Sequence, residues 1–413
     1  MNANDRSIVA LVMTGHGLVH TYELSIPIFM TAWLAEFGVS EATLGGLVGT
    51  GYALFGIGAL PGGVLVDRFG SRRLIALCFA GMGGAFVLLG LLPGIWGIAM
   101  ALVAWGTAAS VYHPAGLALI STGVRQRGRG LAWHGIAGNV GIAGGPLATA
   151  LLLLVFDWPV VAVLLGLPAL VAAVGAWRAS FDEHAAVDRR EAPDDTATPS
   201  APEEASLAVL WRQSTHLFAS GFAGVFALVA VSGLYYRGML TFLPDLLTPL
   251  FTVDLPIEVE AGRYVYAGLL AVGIGGQYVG GRLSDRAGTE WILAGALTVL
   301  AGVAVVFLPV AGLGTSGLLV MSTVLGFFLF VVQPLYQATV AEYTPPDARG
   351  LSYGYTYLAV FGVGAAGAAL AGGLLHGGGP PLLFGGLAGI AGLGAALSGW
   401  LAVRRSRTEG TRP

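Results

Sequence analysis

Lysine is missing altogether: all 20 basic residues of this 413-residue chain are arginine. A phosphate-binding loop that relies on a lysine is therefore excluded, and GIGGQYVGG and similar runs read as helix-packing glycines. Cysteine is almost missing as well. Cys78 stands alone, which rules out an intrachain disulfide and a cysteine metal cluster. Charge is the third scarcity, with only 10% of residues charged, against about 25% in a soluble domain. Such a chain cannot cover its own surface in water, so lipid must cover most of it. No basic run resembles a nucleic-acid patch, and nothing resembles a nucleophile–histidine–acid set on one side. Neither nucleic acid, a cofactor nor an enzymatic activity is expected.

What fills the chain is apolar. Hydrophobic residues make up 55% and mean hydropathy is +0.78. The 65 glycines suit lipid-embedded helices, which approach one another through small residues. The start, MNANDRSIVALVMTGHGLVH, lacks a basic region ahead of an unbroken apolar core, so it reads as a first span that stays in the mature protein, not as a signal peptide. A span needs about 20 apolar residues, and twelve are predicted: 8–34, 43–66, 73–92, 95–121, 130–155, 158–178, 216–246, 263–284, 290–309, 313–341, 349–375 and 381–403. The expected class is an all-α membrane protein of twelve transmembrane helices in two pseudo-symmetric six-helix bundles. These would be residues 1–180 and 213–413, joined by an acidic, proline-bearing linker at 181–212 read as a mobile cytoplasmic connection.

Arginine placement orients the spans. One side of this layout collects 18 of the 20 arginines; Arg263 faces the other side and Arg237 lies inside a span. Basic loops stay cytoplasmic, which predicts a multi-pass plasma-membrane protein with both termini inside. The halves also repeat. GGVLVDRFG (62–70) matches GGRLSDRAG (280–288) at an offset of 218. Gly106, Pro114, Arg129 and Gly130 match Gly326, Pro334, Arg349 and Gly350 at 220, and Pro27 matches Pro244 at 217. A parallel duplication places a substrate site between the halves, near the bilayer midplane.

On these residues the chain resembles the major facilitator superfamily over nearly its whole length. Gly63, Leu65, Asp67, Arg68, Gly70, Arg72 and Arg73 are similar to its signature loop between spans 2 and 3; Gly281, Leu283, Asp285, Arg286 and Gly288 repeat a shorter form between spans 8 and 9. The resemblance implies a secondary transporter working by alternating access. YHPA in span 4 and YYRGMLTFLP (235–244) in span 7 look like the group containing the fosmidomycin-resistance effluxers. GIAGGPLATA (141–150) is similar to the span-5 motif of drug–proton antiporters, with Thr149 and Ala150 in place of the expected glycine pair. The usual span-4 arginine of that family is absent here.

The signature loops suggest a cytoplasmic gate. Asp67 and Asp285 at span ends could bond the free N–H groups where spans 5 and 11 begin in the opposite half. Arg68, Arg72, Arg286, Arg129 and Arg349 belong to the same expected gate, though the same charges also serve simply to set topology.

Ionisable groups deep in a span are costly and face cavities. The sequence offers His16, His20 and Glu23 in span 1, His113 in span 4, His134 in span 5 and Arg237 in span 7. His20 and Glu23 share a helix face. Counted at helical rise, His20 lies ~18 Å and His113 ~14 Å from the cytoplasmic ends, near the midplane. Glu23, His20 and His113 are therefore the candidate proton-coupling groups, a carboxylate beside an imidazole being suited to take and release a proton. His16 reads as a structural donor. His134, only ~6 Å into its span, is assigned to the gate. No metal site is expected, because the histidines do not supply enough ligands at one depth. Arg237 aligns with His20 and needs a partner, either Glu23 across the cavity or an anionic substrate group. Gln277, Gln333, Tyr336, Tyr353 and Tyr357, with His113, complete the candidate substrate-binding set. The function expected is export of a small organic compound in exchange for protons, by a monomer, with proton-coupled import of an organic anion as the alternative.

Overall fold

The structure is a computed structural model that describes residues 1–187, 207–253, 259–286, 288–344 and 349–409. Among the described residues every regular element is helical. In the first half these are α1 (Ala3–Phe37), α2 (Glu41–Ile57), α3 (Ala59–Phe69), α4 (Ser71–Leu91), α5 (Ile95–Ala109), α6 (Tyr112–Gly123), α7 (Arg127–Leu152) and α8 (Trp158–Arg178). The second half holds α9 (Leu207–Leu217), α10 (Ala223–Thr241), α11 (Leu243–Leu247), α12 (Ala261–Ser284), α13 (Thr289–Ala311), α14 (Thr315–Glu342), α15 (Arg349–Tyr357) and α16 (Ala366–Glu409).

Local chemistry sets the ends. Asn2 caps α1 by accepting from the Asp5 amide at 2.7 Å, and Gly38 closes it in the left-handed region. Proline sets the breaks. The α2–α3 break at Gly58 comes one turn before Pro61, and α5 gives way to α6 at Ser110–Val111, just ahead of Pro114. His113 thus opens a new helical segment. The repeated loops end alike: Gly70 and Gly288 both hold a positive φ, of 79° and 78°, that other residues rarely adopt.

Nine of the described helical stretches are long and apolar enough to cross a membrane. α1 and α12, of 35 and 24 residues, fall outside that group; both carry ionisable groups that lower their hydropathy. The last stretch, Leu351–Arg407, is a continuous apolar run of 57 residues. As one rod it would reach roughly 85 Å, far beyond the ~30 Å hydrocarbon layer. It folds back at Gly378 and Gly379, which leave helical geometry just before Pro380 and Pro381.

Packing follows the duplication. α1 lies on α7 and α10 on the first arm of α16; α4 lies on α8 and α13 on the second arm; α2 lies on α5 and α12 on α14. The halves meet in matching pairs too, α2 against α16 and α7 against α12. Close approach depends on glycine: a side chain at Gly141 would enter the backbone of Gly17, and one at Gly45 would lie 2.5 Å from the Ala368 carbonyl oxygen. Polar bonds between the halves cluster on the arginine-poor face. Arg263 donates to the Thr31 hydroxyl at 2.6 and 2.9 Å, Tyr264 to the Ala150 carbonyl at 3.2 Å, and His376 lies 3.5 Å from Glu41.

The expected linker is not uniform. Residues 181–187 dock on the first half: Glu183 accepts from the Ser71 and Arg72 amides, and Asn4 exchanges bonds with Asp182. Residues 188–206 lie outside the described set, and 207–217 form α9. The free N–H groups at a helix start take a carboxylate from a nearby polar segment, which docks that segment.

Candidate functional site

The centre of the molecule holds one buried ion pair between the halves. Arg237 of α10 donates to Glu23 Oε1 of α1, and each residue is 1% exposed. Isolated, either charge would be very costly at this depth; joined, each satisfies the other. Tyr52 of α2 supports both, its ring 3.8 Å beneath the guanidinium and its hydroxyl donating to the Glu23 carbonyl at 3.0 Å. Arg237 Nε, also buried, has no partner among the described residues.

Glu23 continues into a histidine chain. Its second oxygen, Oε2, lies 2.5 Å from His20 Nδ1. His20 Nε2 lies 3.1 Å from His16 Nε2, and His16 Nδ1 lies 2.7 Å from the His134 carbonyl oxygen. The His134 ring stacks on His16 with centroids 3.8 Å apart. His113 sits edge-on to the same group, 5.4 Å from His16 and 5.7 Å from His20. Four histidines from α1, α6 and α7 therefore meet in one place. Gly138 makes room, since a Cβ there would lie 2.5 Å from His16 Nδ1.

This revises the expected depth of His134. It lies in the buried cluster, 6% exposed and stacked on His16. The count from Gly130 placed it too shallow. α7 starts at Arg127, and the preceding Arg125 amide already meets Asp5 of α1 at 3.2 Å. From that shared level His16 lies about 16 Å along one helix and His134 about 13 Å along the other. The histidines are therefore close in depth, and ligand atoms of His16, His20 and His113 lie within 4.8 Å of one another.

The candidate substrate residues divide. Tyr357 faces His113 at 5.0 Å and stacks on Phe361 at 5.9 Å, giving an aromatic wall shared by both halves. Gln277 donates to Gln333 at 2.8 Å, so these two amides bind each other, and Tyr336 is buried on the same helix. Tyr353 is 46% exposed and joins none of these groups. Tyr52, Phe361 and Phe55, whose ring lies 5.7 Å from His113 and 4.9 Å from Phe361, were missed, because nothing in their spacing separates them from ordinary packing aromatics.

Among the described side chains, none of the expected gate residues bonds across the halves. Arg72 donates to the carbonyl of Ala179, at the end of α8 in its own half. Arg68, Arg129, Asp285 and Arg286 are exposed, and Arg68 lies over Phe69. The α7 start is served by Asp5, which is 1% exposed and accepts from the Arg125 and Gln126 amides at 3.2 and 3.4 Å. A carboxylate of the same half thus takes the role assigned to Asp285. The Asp67 and Arg349 side chains lie outside the described set.

The Major Facilitator Superfamily profile matches residues 12–368. The chain belongs to the Major Facilitator Superfamily. It is accordingly a multi-pass membrane transporter and not an enzyme. Among curated relatives, it is 25% identical over 142 residues to a probable L-galactonate transporter of Escherichia coli K12, covering 34% of this chain and 31% of that protein. It is 35% identical over 127 residues to the puromycin resistance protein pur8 of Streptomyces alboniger, covering 30% and 25%. The matches span under a third of either relative. Two solved structures share the fold. One is a bacterial homologue of the human lysosomal transporter Spinster, in an inward-facing, occupied conformation, with TM-score 0.73 and 15% identity over 98% of both chains. The other is a peptide transporter POT in complex with sulfate, with TM-score 0.73 and 14% identity over 98% of this chain and 95% of that one.

Proposed function

We propose that this member of the superfamily is a proton-coupled exporter of a small organic compound, working by alternating access in the plasma membrane. Its twelve spans are the nine apolar stretches, with the 57-residue run counted as two arms, plus α1 and α12. Both termini lie on the arginine-rich, cytoplasmic side. The observation that carries the reading is the Glu23–Arg237 pair, because it joins the two halves at the depth of the substrate site. A proton delivered to Glu23, with His20 beside it, removes the negative partner and loosens the halves. Substrate then competes for Arg237 and the wall of His113, Tyr357 and Phe361. The likeness to the puromycin resistance protein supports export.

Arg237 also favours a second reading, import of an organic anion, for which the likeness to the probable L-galactonate transporter speaks. The gate role of Asp67, Arg68, Arg72, Asp285, Arg286, Arg129 and Arg349 is retained only for the opposite conformation, in which the arginine-rich face closes. Purified protein in liposomes under an imposed pH gradient tests the coupling. Uptake into or release from the vesicles should follow the gradient; a rate indifferent to it removes proton coupling. Glu23→Gln should lose gradient-driven transport while keeping counterflow exchange.

A further inference from the structure

The hydrogen-bond directions in the histidine cluster leave a gap that something positive, a proton or a metal ion, must fill. His16 Nδ1 faces a backbone carbonyl oxygen at 2.7 Å, and a carbonyl only accepts, so the proton of that ring sits on Nδ1. His20 Nδ1 faces Glu23 Oε2 at 2.5 Å, and the other oxygen of that carboxylate takes the Arg237 guanidinium. A carboxylate held by a guanidinium accepts, so His20 also carries its proton on Nδ1. Two neutral rings so fixed point bare Nε2 lone pairs at each other across 3.1 Å. That contact is repulsive unless something positive lies between them.

The same arrangement is the outer shell of a metal site. Metal-binding histidines donate the distal ring N–H to a carboxylate or a backbone carbonyl, which fixes the tautomer and aims the other nitrogen at the ion. His20 has the carboxylate and His16 has the carbonyl. His113 brings a third nitrogen within the 4.8 Å group, and its ring is 5% exposed. Beside them, His134 Nε2 is buried without a partner among the described residues, its ring 3.8 Å from that of His16. Imidazole nitrogens suit zinc and its first-row neighbours, and three such ligands with an open fourth position is a common zinc arrangement. Two nitrogens about 2.0–2.1 Å from one ion at tetrahedral angles stand roughly 3.3 Å apart, close to the spacing of the His16–His20 pair.

We propose that His16, His20 and His113 form a binding site for a divalent transition-metal ion of the zinc class. The site lies wholly in the first half of the chain, and His113, within 4.8 Å, would need to close by up to about 1.5 Å to reach ligand spacing. It does not depend on the transport reading above: a transporter indifferent to a pH gradient would still bind the ion, and a protein that binds no metal would still contain the Glu23–Arg237 pair.

The test uses full-length protein from which any polyhistidine tag has been removed. Isothermal titration with Zn2+ is expected to give one ion per chain. His16→Gln, His20→Gln and His113→Gln should each weaken binding by a hundredfold or more, and Glu23→Gln, acting through His20, by about 10- to 100-fold. His376→Gln, far away on the exposed outer face, should leave the titration as it is. Should the cluster variants fold poorly, X-ray absorption of zinc-loaded wild-type protein decides independently, with three imidazoles expected around the ion at ~2.0 Å. Absence of zinc uptake by the wild type overturns the proposal. So does nitrogen NMR of zinc-treated protein showing an N–H···N bond between His16 and His20, which would mean that a proton alone fills the gap. Binding undiminished in all three histidine variants overturns it too.

Discussion

Replacing Arg237 with methionine removes one partner of an ion pair of which each member is 1% exposed. The Glu23 carboxylate then keeps His20 at 2.5 Å but loses its permanent positive neighbour. Breaking a buried pair in this way costs about 3–5 kcal/mol, mostly through the charge left behind. The bond to His20 is present in both proteins and does not reduce this figure, so a loss of about 3–5 kcal/mol is expected. Glu23→Gln strands the guanidinium instead, which retains the Tyr52 face at 3.8 Å, a contact worth up to about 2 kcal/mol when desolvated. The double variant leaves no stranded charge and should be nearer to wild type than the sum of the two single losses implies. The assay is a double-mutant cycle on the midpoint of thermal unfolding in detergent, used as a ranking because a chain of this size need not unfold in two states. Strictly additive losses, or an Arg237→Met protein as stable as wild type, would refute the claim that this pair is energetically coupled across the halves.

Gly138→Ala should push His16 off its stack and cost about 1–3 kcal/mol, with a matching fall in zinc affinity; an unchanged titration would show that the His16 ring is free to move. Asp5→Ala leaves the Arg125 and Gln126 amides without their acceptor and should lower stability by about 1–3 kcal/mol, read from the same melting assay. Gly45→Leu wedges α2 from the first arm of α16 on the arginine-poor face. Labelling of a cysteine introduced near Thr31, in a Cys78→Ser background, should therefore speed up; equal labelling rates would mean that the face is not closed by this contact. Cys78 is itself buried and should resist a membrane-impermeant maleimide in the folded protein, a result checked by mass spectrometry.

Scarce charge, abundant glycine, the run of apolar segments, the arginine asymmetry and the twofold repeat are all local or periodic properties, and they were enough for a helical membrane protein; the family and its transport role came from the resemblance carried by the loops at 63–73 and 281–288. Glu23 and Arg237 were also visible, because an ionisable group in an apolar run stands out wherever it is. The linear order could not say which helix faces which, or how far each starts below its neighbour. That is why Asp5 stands where Asp285 was expected and Arg72 bonds within its own half, why Tyr52 beneath Arg237 was indistinguishable from packing, and why His134 was counted as shallow. Depth in a bundle is measured from where neighbouring helices touch, not from where each begins in the chain. Only the glycine-lined seam between α1 and α7, with the break before Pro114, brings four histidines to one point and sets the Nε2 atoms of His16 and His20 3.1 Å apart.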